Sequence, residues 1–470
     1  MLTKEIKQQL TAIVGPENFA DSKASQLVYS FDATPQFQAM PDAIVSPRNK
    51  VEVAEVVKCC SQHRIPLVPR GSGTNLSAGT TPQQGGIVLL FKHLDQIVEI
   101  DEENLTITTQ PGVNTLELIE AVEAKGLFYP PDPSSMKISQ IGGNINENSG
   151  GLRGLKYGVT RDYVMGLEIV LPNGEIIRTG GKLAKDVAGY DLTRLFVGSE
   201  GTLGIITEAT LKLIPMPETK KTVLALYEDI DAAARTVSKI IASRIIPTTL
   251  EFLDQPTIKV VEEFSNIGLP THVKAMLLIE QDGSTQTVEK DIEDISEICR
   301  ENEAIEISVA KTEADAEALR TARRSALSAL ARLKPTTILE DATVPRSEIA
   351  KMVKAINQIA RKYDVEICTF GHAGDGNLHP TCLTDARNKP EMERVEQAFE
   401  EIFQTAVDLG GTITGEHGVG AMKAPYLHLK LGEAGISAMQ GVKQAFDPYN
   451  IMNPGKMFAK SSRKRVVVSP

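Results

Sequence analysis

Residues 65–76 read Ile65-Pro66-Leu67-Val68-Pro69-Arg70-Gly71-Ser72-Gly73-Thr74-Asn75-Leu76. A short apolar run, strand-like in composition, ends in a loop of glycine and small polar residues. Such a loop exposes backbone N–H groups and suits a phosphate or pyrophosphate. It is not the dinucleotide fingerprint, because Leu76 stands where the third glycine would be, and it lacks the Gly-Lys-Ser/Thr of a P-loop. Alone, it reads equally well as a tight turn between strands. It has company in the same half of the chain. Gln140-Ile141-Gly142-Gly143-Asn144-Ile145 is followed by Asn148-Ser149-Gly150-Gly151, and Gly198-Ser199-Glu200-Gly201-Thr202-Leu203-Gly204 runs into Ile205-Ile206-Thr207. Several glycine-lined loops among short strands suit a long cofactor lying in a groove.

Around these loops the pattern predicts a helix over 4–13, strands over 43–45, 87–90, 97–100 and 105–109, and helices over 51–60 and 115–125. Residues 129–161 are dense in Gly, Pro, Ser and Asn and read as one irregular stretch, too long for an ordinary connection. Strands over 165–171 and 176–178 meet at an Asn173-Gly174 hairpin turn. Beyond Pro215-Met216-Pro217 the composition shifts. Strand- and helix-like segments alternate over 222–227, 231–243, 248–253, 273–281, 287–301, 304–310 and 313–333, which reads as a separate α+β layer.

The 470 residues allow two or three domains. With 41% hydrophobic and 24% charged residues the composition is that of a soluble globular protein. A formal net charge of −11 argues against nucleic acid or an anionic membrane as partner. The five cysteines form no CxxC pair, so neither a disulfide framework nor an iron–sulfur cluster is indicated. The first residues lack the apolar core of a signal peptide, and no apolar run approaches the ~18 residues of a membrane span. The compartment expected is a reduced, cytoplasmic one. The basic run Lys460 to Arg465 reads as a solvated tail.

The chain has seven histidines. His372 and His379 lie in Gly371-His372-Ala373-Gly374-Asp375-Gly376-Asn377-Leu378-His379, and His417 in Gly415-Glu416-His417-Gly418. Imidazole with carboxylate is a usual donor set for a divalent metal. Residues 365–370 and 378–383 read as two strands around an Asp-Gly-Asn turn, so His372 and His379 are expected to point the same way and share an ion. Two turn-flanking histidines bonded to backbone are the plainer reading. Glu416 and His417 are adjacent; in extended chain they would face opposite ways, and only a turn relaxes this. Arg323 and Arg324 are candidates to grip a carboxylate through paired hydrogen bonds, or else are surface-helix charges.

Taken in order, these motifs, with Lys156-Tyr157-Gly158, Gly189-Tyr190-Asp191-Leu192 and Asn453-Pro454-Gly455-Lys456, resemble flavoproteins of the vanillyl-alcohol oxidase/p-cresol methylhydroxylase type. The resemblance is closest to the group of bacterial glycolate oxidase catalytic subunits, D-lactate dehydrogenases and D-2-hydroxyglutarate dehydrogenases, and it covers nearly the whole chain. It implies an α+β fold: a two-subdomain FAD-binding domain over 1–218, a ferredoxin-like substrate or cap domain over 219–424, and a C-terminal segment, 425–470, returning to the flavin. FAD would be held by Pro69, Arg70, Gly71, Ser72, Gly73, Thr74, Asn75 and Leu76 at the pyrophosphate. Gly142, Gly143, Asn148, Gly150 and Gly151 would line the flavin. Glu200, Gly201 and Ile206 would lie along the adenosine and ribitol side, with Asn453 coming from the C-terminus, and Pro131, Asp132, Tyr157, Gly158 and Gly204 are further cofactor-binding candidates. Some relatives attach FAD covalently through a histidine where this chain has Thr74, so non-covalent FAD is expected. Ser149 departs from the alanine of many relatives.

The resemblance further implies His372, His379 and Glu416 as ligands of a divalent metal ion (zinc, manganese or iron), His417 as catalytic acid/base, and Arg323 as the substrate arginine. Relatives often carry tryptophan three or four residues before that arginine; this chain has Leu319-Arg320 and no tryptophan. The activity implied is oxidation of a small D-2-hydroxy acid, glycolate or D-lactate, with D-2-hydroxyglutarate as alternative. Electrons would pass to a partner protein (an iron–sulfur subunit or electron-transfer flavoprotein) or a quinone, and a homodimer is allowed. A metal-dependent hydrolase is the competing reading from another class, and it leaves the glycine loops unexplained. A non-catalytic flavin-binding subunit would be expected to lack the histidine pair.

Overall fold

A computed structural model describes residues 2–34 and 36–458; the basic tail lies outside them. The chain is α+β and builds three principal sheets. In the first, Ala43–Val45, Ile87–Leu90 and Leu67–Arg70 pair in parallel, with Phe19–Ala20 antiparallel at one edge. Helices Lys4–Val14 and Lys50–His63 cover it, the second burying Val53, Val56, Val57 and Cys60 at helical spacing. In the second, five antiparallel strands run in the order Ile97–Asp101, Thr106–Thr109, Ile205–Lys212, Val164–Val170, Ile176–Gly180. The C-terminal segment returns to the first sheet: Met452 bridges to Leu67, and Ile451 and Met452 are fully buried in its core.

The stretch 129–161 is not uniformly irregular. It contains a helix, Ile141–Glu147, and a helical turn, Gly154–Tyr157. The glycine pair hid the helix, because glycine is a poor helix former. Packing overrides that preference. Ile141 and Ile145, one turn apart and 0% exposed, pack against the five-stranded sheet, each contributing roughly 1.5–3 kcal/mol by burial. The opposite face presents Gly143, beside which a Cβ would meet nothing within 4 Å.

The third sheet is antiparallel, in the order Glu306–Val309, Thr219–Tyr227, Ala275–Gly283, Thr249–Asp254, Glu366–His372, Asn377–Thr384, Thr336–Leu339, with Ala342–Thr343 also pairing Asn377–Thr384. Alternation splits its side chains. Val223, Ala225, Leu250, Phe252, Leu277 and Ile279 join the core under helices Ile230–Ala242, Thr285–Glu301, Ile349–Tyr363 and Lys389–Asp408. Leu226, Leu253, Met276, Cys368, Phe370 and Leu383 point the other way, toward helices Gln255–Ser265 and Ala326–Leu330. The expected helix over 313–333 is two, Glu313–Arg324 and Ala326–Leu330, broken at Ser325, so that Arg323 and Arg324 end the first.

Candidate active site

His372 ends strand Glu366–His372, and its partner strand starts at Asn377. The register pairs Phe370 with His379 and His372 with Asn377. His372 and His379 are therefore diagonal neighbours on one face, the face of Phe370 and Cys368, and their ring centroids are 5.1 Å apart. Glu416 and His417 come from a non-strand segment that turns at Gly418 (φ +79°) and Gly420 (φ +52°). That turn is held by Asp341, whose Oδ2 accepts the backbone N–H groups of Gly415, Glu416 and His417 at 2.7, 2.7 and 3.2 Å. Lys423, fully buried, donates to Asp341 Oδ1.

Glu416 Oε1 is 3.1 Å from His372 Nε2 and 3.3 Å from His379 Nε2. One donor atom from each of the three residues falls within 4.8 Å of the others. Two imidazole nitrogens and a carboxylate oxygen converging in this way fit a divalent ion. His372 turns its other nitrogen, Nδ1, to Glu251 Oε1 at 2.7 Å, a carboxylate–histidine arrangement that orients a ligand ring. Glu251 (0% exposed) is also ion-paired with Arg323 at 2.5 Å, and Arg323 lies over the Phe370 ring. Burial disfavours charge on His372, but Glu251 and Glu416 outweigh it and raise the ring well above its usual range. Burial also opposes ionisation of Glu416, yet His372 and His379 hold it well below the carboxylate range. The electrostatic setting favours a cation.

His417 lies parallel to His379, rings 7° apart in plane and centroids 5.0 Å apart. Its Nδ1 faces Asp341 Oδ1 at 3.7 Å and its Nε2 faces Glu416 Oε1 at 3.8 Å. Burial drives this ring down to about 4, Asp341 only partly opposing, so at neutral pH it is a neutral base.

These groups line one end of a cavity of about 440 Å³ whose other walls are the glycine loops. A second, smaller cavity shares Gly71, Thr80, Gly143 and Glu147 with it. The two form a groove running from Ile206 and Asn453 to the histidines. The open face at Gly143 and the glycine-rich lining of the groove fit FAD. Of the expected cofactor residues, Gly71, Ser72, Gly73, Thr74, Asn75, Leu76, Gly143, Gly150 and Gly151 line the larger cavity; Pro69, Arg70, Gly142, Glu200, Gly201, Ile206 and Asn453 line the smaller. Gly150 brings its loop against the Glu416 carboxylate: a Cβ there would stand 2.5 Å from Glu416 Oε2.

Six expected residues line neither cavity. Pro131 and Asp132 are buried; Asp132 accepts from Arg324 at 3.0 Å and from the Arg153 N–H at 3.1 Å. Asn148 ends the helix in left-handed conformation, φ +55°. Tyr157 donates to Asp282 at 2.9 Å, Gly158 follows the turn (φ +81°), and a Cβ at Gly204 would stand 2.8 Å from Ile169. Arg323 and Arg324 both line the larger cavity. Sequence reading missed Glu251 and Asp341. A single charge inside the apolar run Leu250-Glu251-Phe252-Leu253 was the available signal for the first; the second had none beyond the acidic pair Glu340-Asp341.

Two family models match the chain: FAD binding domain over residues 41–180, and FAD linked oxidases, C-terminal domain, over residues 216–457. The glycolate oxidase subunit GlcD of Bacillus subtilis (strain 168) is 73% identical over 467 residues, 99% of each chain. A D-lactate dehydrogenase of Anaerostipes hadrus is 38% identical, covering 90% of each. Among solved structures, p-cresol methylhydroxylase superposes with a TM-score of 0.82 at 17% identity, covering 97% of this chain and 98% of that one.

Proposed function

The chain belongs to the FAD-linked oxidases and is an FAD-dependent 2-hydroxy-acid oxidase or dehydrogenase, and from that premise we propose that it oxidises glycolate or D-lactate at the histidine end of the groove. The observation that carries this reading is His417 stacked on His379 and close to Glu416 in the cavity that the glycine loops also line. His372, His379 and Glu416 would hold a divalent ion; non-covalent FAD would lie along the groove, bound by residues of 1–218 and by Asn453. When bound, the flavin supplies a hydride acceptor and the ion a Lewis acid toward the substrate hydroxyl.

The chain's own groups do the rest. Glu251 orients His372, leaving its Nε2 for the ion. Arg323 receives the substrate carboxylate from the cavity side while Glu251 and Phe370 fix its guanidinium. His417 takes the hydroxyl proton at Nε2, its Nδ1 turned to Asp341. Leu76, Leu327, Leu339 and Phe370 supply an apolar wall, which supports a short substituent on the hydroxy acid. Arg324, the other arginine lining the cavity, pairs with Asp132. All five cysteines are buried and free; the electrons would pass to a partner protein, an iron–sulfur subunit or an electron-transfer flavoprotein, or to a quinone. Among the described residues no helix is long and apolar enough to cross a membrane.

The test is a panel of D- and L-2-hydroxy acids against flavin reduction. Glycolate and D-lactate should reduce the flavin fastest. Faster reduction by D-2-hydroxyglutarate would overturn the substrate reading.

A further inference from the structure

Two residues lining the smaller cavity, Glu147 and Asn453, each carry a buried polar atom without a hydrogen-bond partner among the described residues. Glu147 closes helix Ile141–Glu147 and lines both cavities. Its Oε2 is buried and has no hydrogen-bond partner among the described residues. Asn453, 2% exposed, donates its amide nitrogen to the carbonyls of Gly79 and Glu200 at 2.9 and 2.7 Å. Its Oδ1 is left buried and unpartnered among the described residues. Native proteins seldom leave such atoms unsatisfied, because each forfeits its hydration with no return.

Neighbouring groups are committed elsewhere. Glu200 accepts the N–H groups of Val419 and Gly420, both at 2.7 Å. Asp32 accepts from Thr34, Thr80 and Thr81, and Lys456 donates to the Thr81 carbonyl. Gly79 leaves room for the carboxyl: a Cβ there would be 2.7 Å from Glu147 Oε1. The pair therefore awaits a ligand that brings hydroxyl groups. Burial, reinforced by Glu200 and Asp32, pushes the Glu147 carboxyl well above its ordinary range, so it does not repel a phosphate in the same groove.

We infer that Glu147 and Asn453 together receive hydroxyl groups of the sugar-alcohol part of FAD, the ribityl chain or the ribose. A phosphate brings only acceptors: a protonated Glu147 could donate to it, but Asn453 Oδ1 would stay unmet. The flavin N3–H or the adenine amino group would meet one wall, whereas a polyol carries hydroxyls enough for two. The inference rests on the groove holding FAD, and it adds Glu147 to the cofactor residues.

The test uses the full chain stripped of flavin. Dissociation constants are measured by flavin fluorescence for FAD, for analogues lacking single ribityl hydroxyls, and for the analogue lacking the ribose 2′-hydroxyl. Glu147→Gln, which keeps an acceptor, should stay within about threefold of wild type, and Glu147→Leu should bind FAD about tenfold more weakly. One analogue should bind wild type about tenfold more weakly yet bind Glu147→Leu as well as FAD does, the coupling of a shared contact. Whether a ribityl or the ribose analogue couples identifies the sugar. Unchanged affinity in Glu147→Leu, equal losses in Gln and Leu, or additive losses with every analogue would overturn the inference. Failure of the wild-type chain to bind FAD would instead overturn the reading of the groove. Circular dichroism of each flavin-free variant verifies folding.

Discussion

The rings of His379 and His417 are parallel, 5.0 Å apart at their centroids, yet they face different partners. His379 reaches Glu416 Oε1 at 3.3 Å, while His417 turns Nδ1 toward Asp341 at 3.7 Å. On the proposed reading the pair separates a metal ligand, His379, from a base, His417. His417→Ala should retain bound FAD and metal but lose roughly 10²–10⁴-fold in the rate of flavin reduction, the usual worth of a positioned acid/base. Stopped-flow reduction of the flavin-loaded variant is the measurement. A rate near wild type would remove His417 from the chemistry.

Glu251 serves two groups at once, His372 at 2.7 Å and Arg323 at 2.5 Å. Glu251→Gln should weaken metal binding by roughly 10–100-fold, as loss of a carboxylate behind a ligating histidine does. Calorimetric titration of the metal-free variant with zinc or manganese reads this. Wild-type affinity would show that His372 needs no such orientation.

Asp341 gathers three consecutive N–H groups and the buried Lys423. Asp341→Ala strips those donors and leaves Glu340, 3.5 Å away, as the remaining carboxylate beside Lys423. A loss of about 3 kcal/mol in unfolding free energy is expected, in line with breaking a buried ion pair. Urea denaturation measures it, and a loss under ~0.5 kcal/mol, the level of an ordinary surface substitution, would contradict the role assigned to Asp341.

Arg323→Lys keeps a charge but loses the planar fork. It should cost roughly ten- to a hundredfold in kcat/KM, chiefly through KM, the scale of a charge-assisted hydrogen bond. Arg324→Lys, at the arginine that pairs with Asp132 rather than with Glu251 behind His372, should cost less. The reverse ranking would exchange the two assignments.

Much of this was legible in the sequence because it lies in contiguous motifs. The loop from Pro69 to Leu76, the hairpin histidines and Glu416-His417 are local patterns, and the groove gathers them in one place. The helix at Ile141–Glu147 was not legible, because the apolar contacts of Ile141 and Ile145 that stabilise it come from another sheet. Glu251 and Asp341 act across separations of 121 and 74–76 residues. No local spacing records such a contact; it exists only once Thr249–Asp254 and Glu366–His372 are neighbours in the sheet. Tyr157 and Gly158, cofactor candidates by motif alone, line neither cavity, and Tyr157 bonds instead to Asp282 on the third sheet.

The central claim is that a divalent ion on His372, His379 and Glu416 grips a 2-hydroxy acid for oxidation by flavin. Anaerobic mixing of the FAD-loaded protein with glycolate or D-lactate, before and after chelation, tests it most directly when the metal content is measured in the same samples. The account predicts bleaching of the flavin absorbance with one bound divalent ion per chain, loss of bleaching when the ion is removed with FAD retained, and recovery when the ion is restored. Full bleaching in a metal-free sample would contradict it.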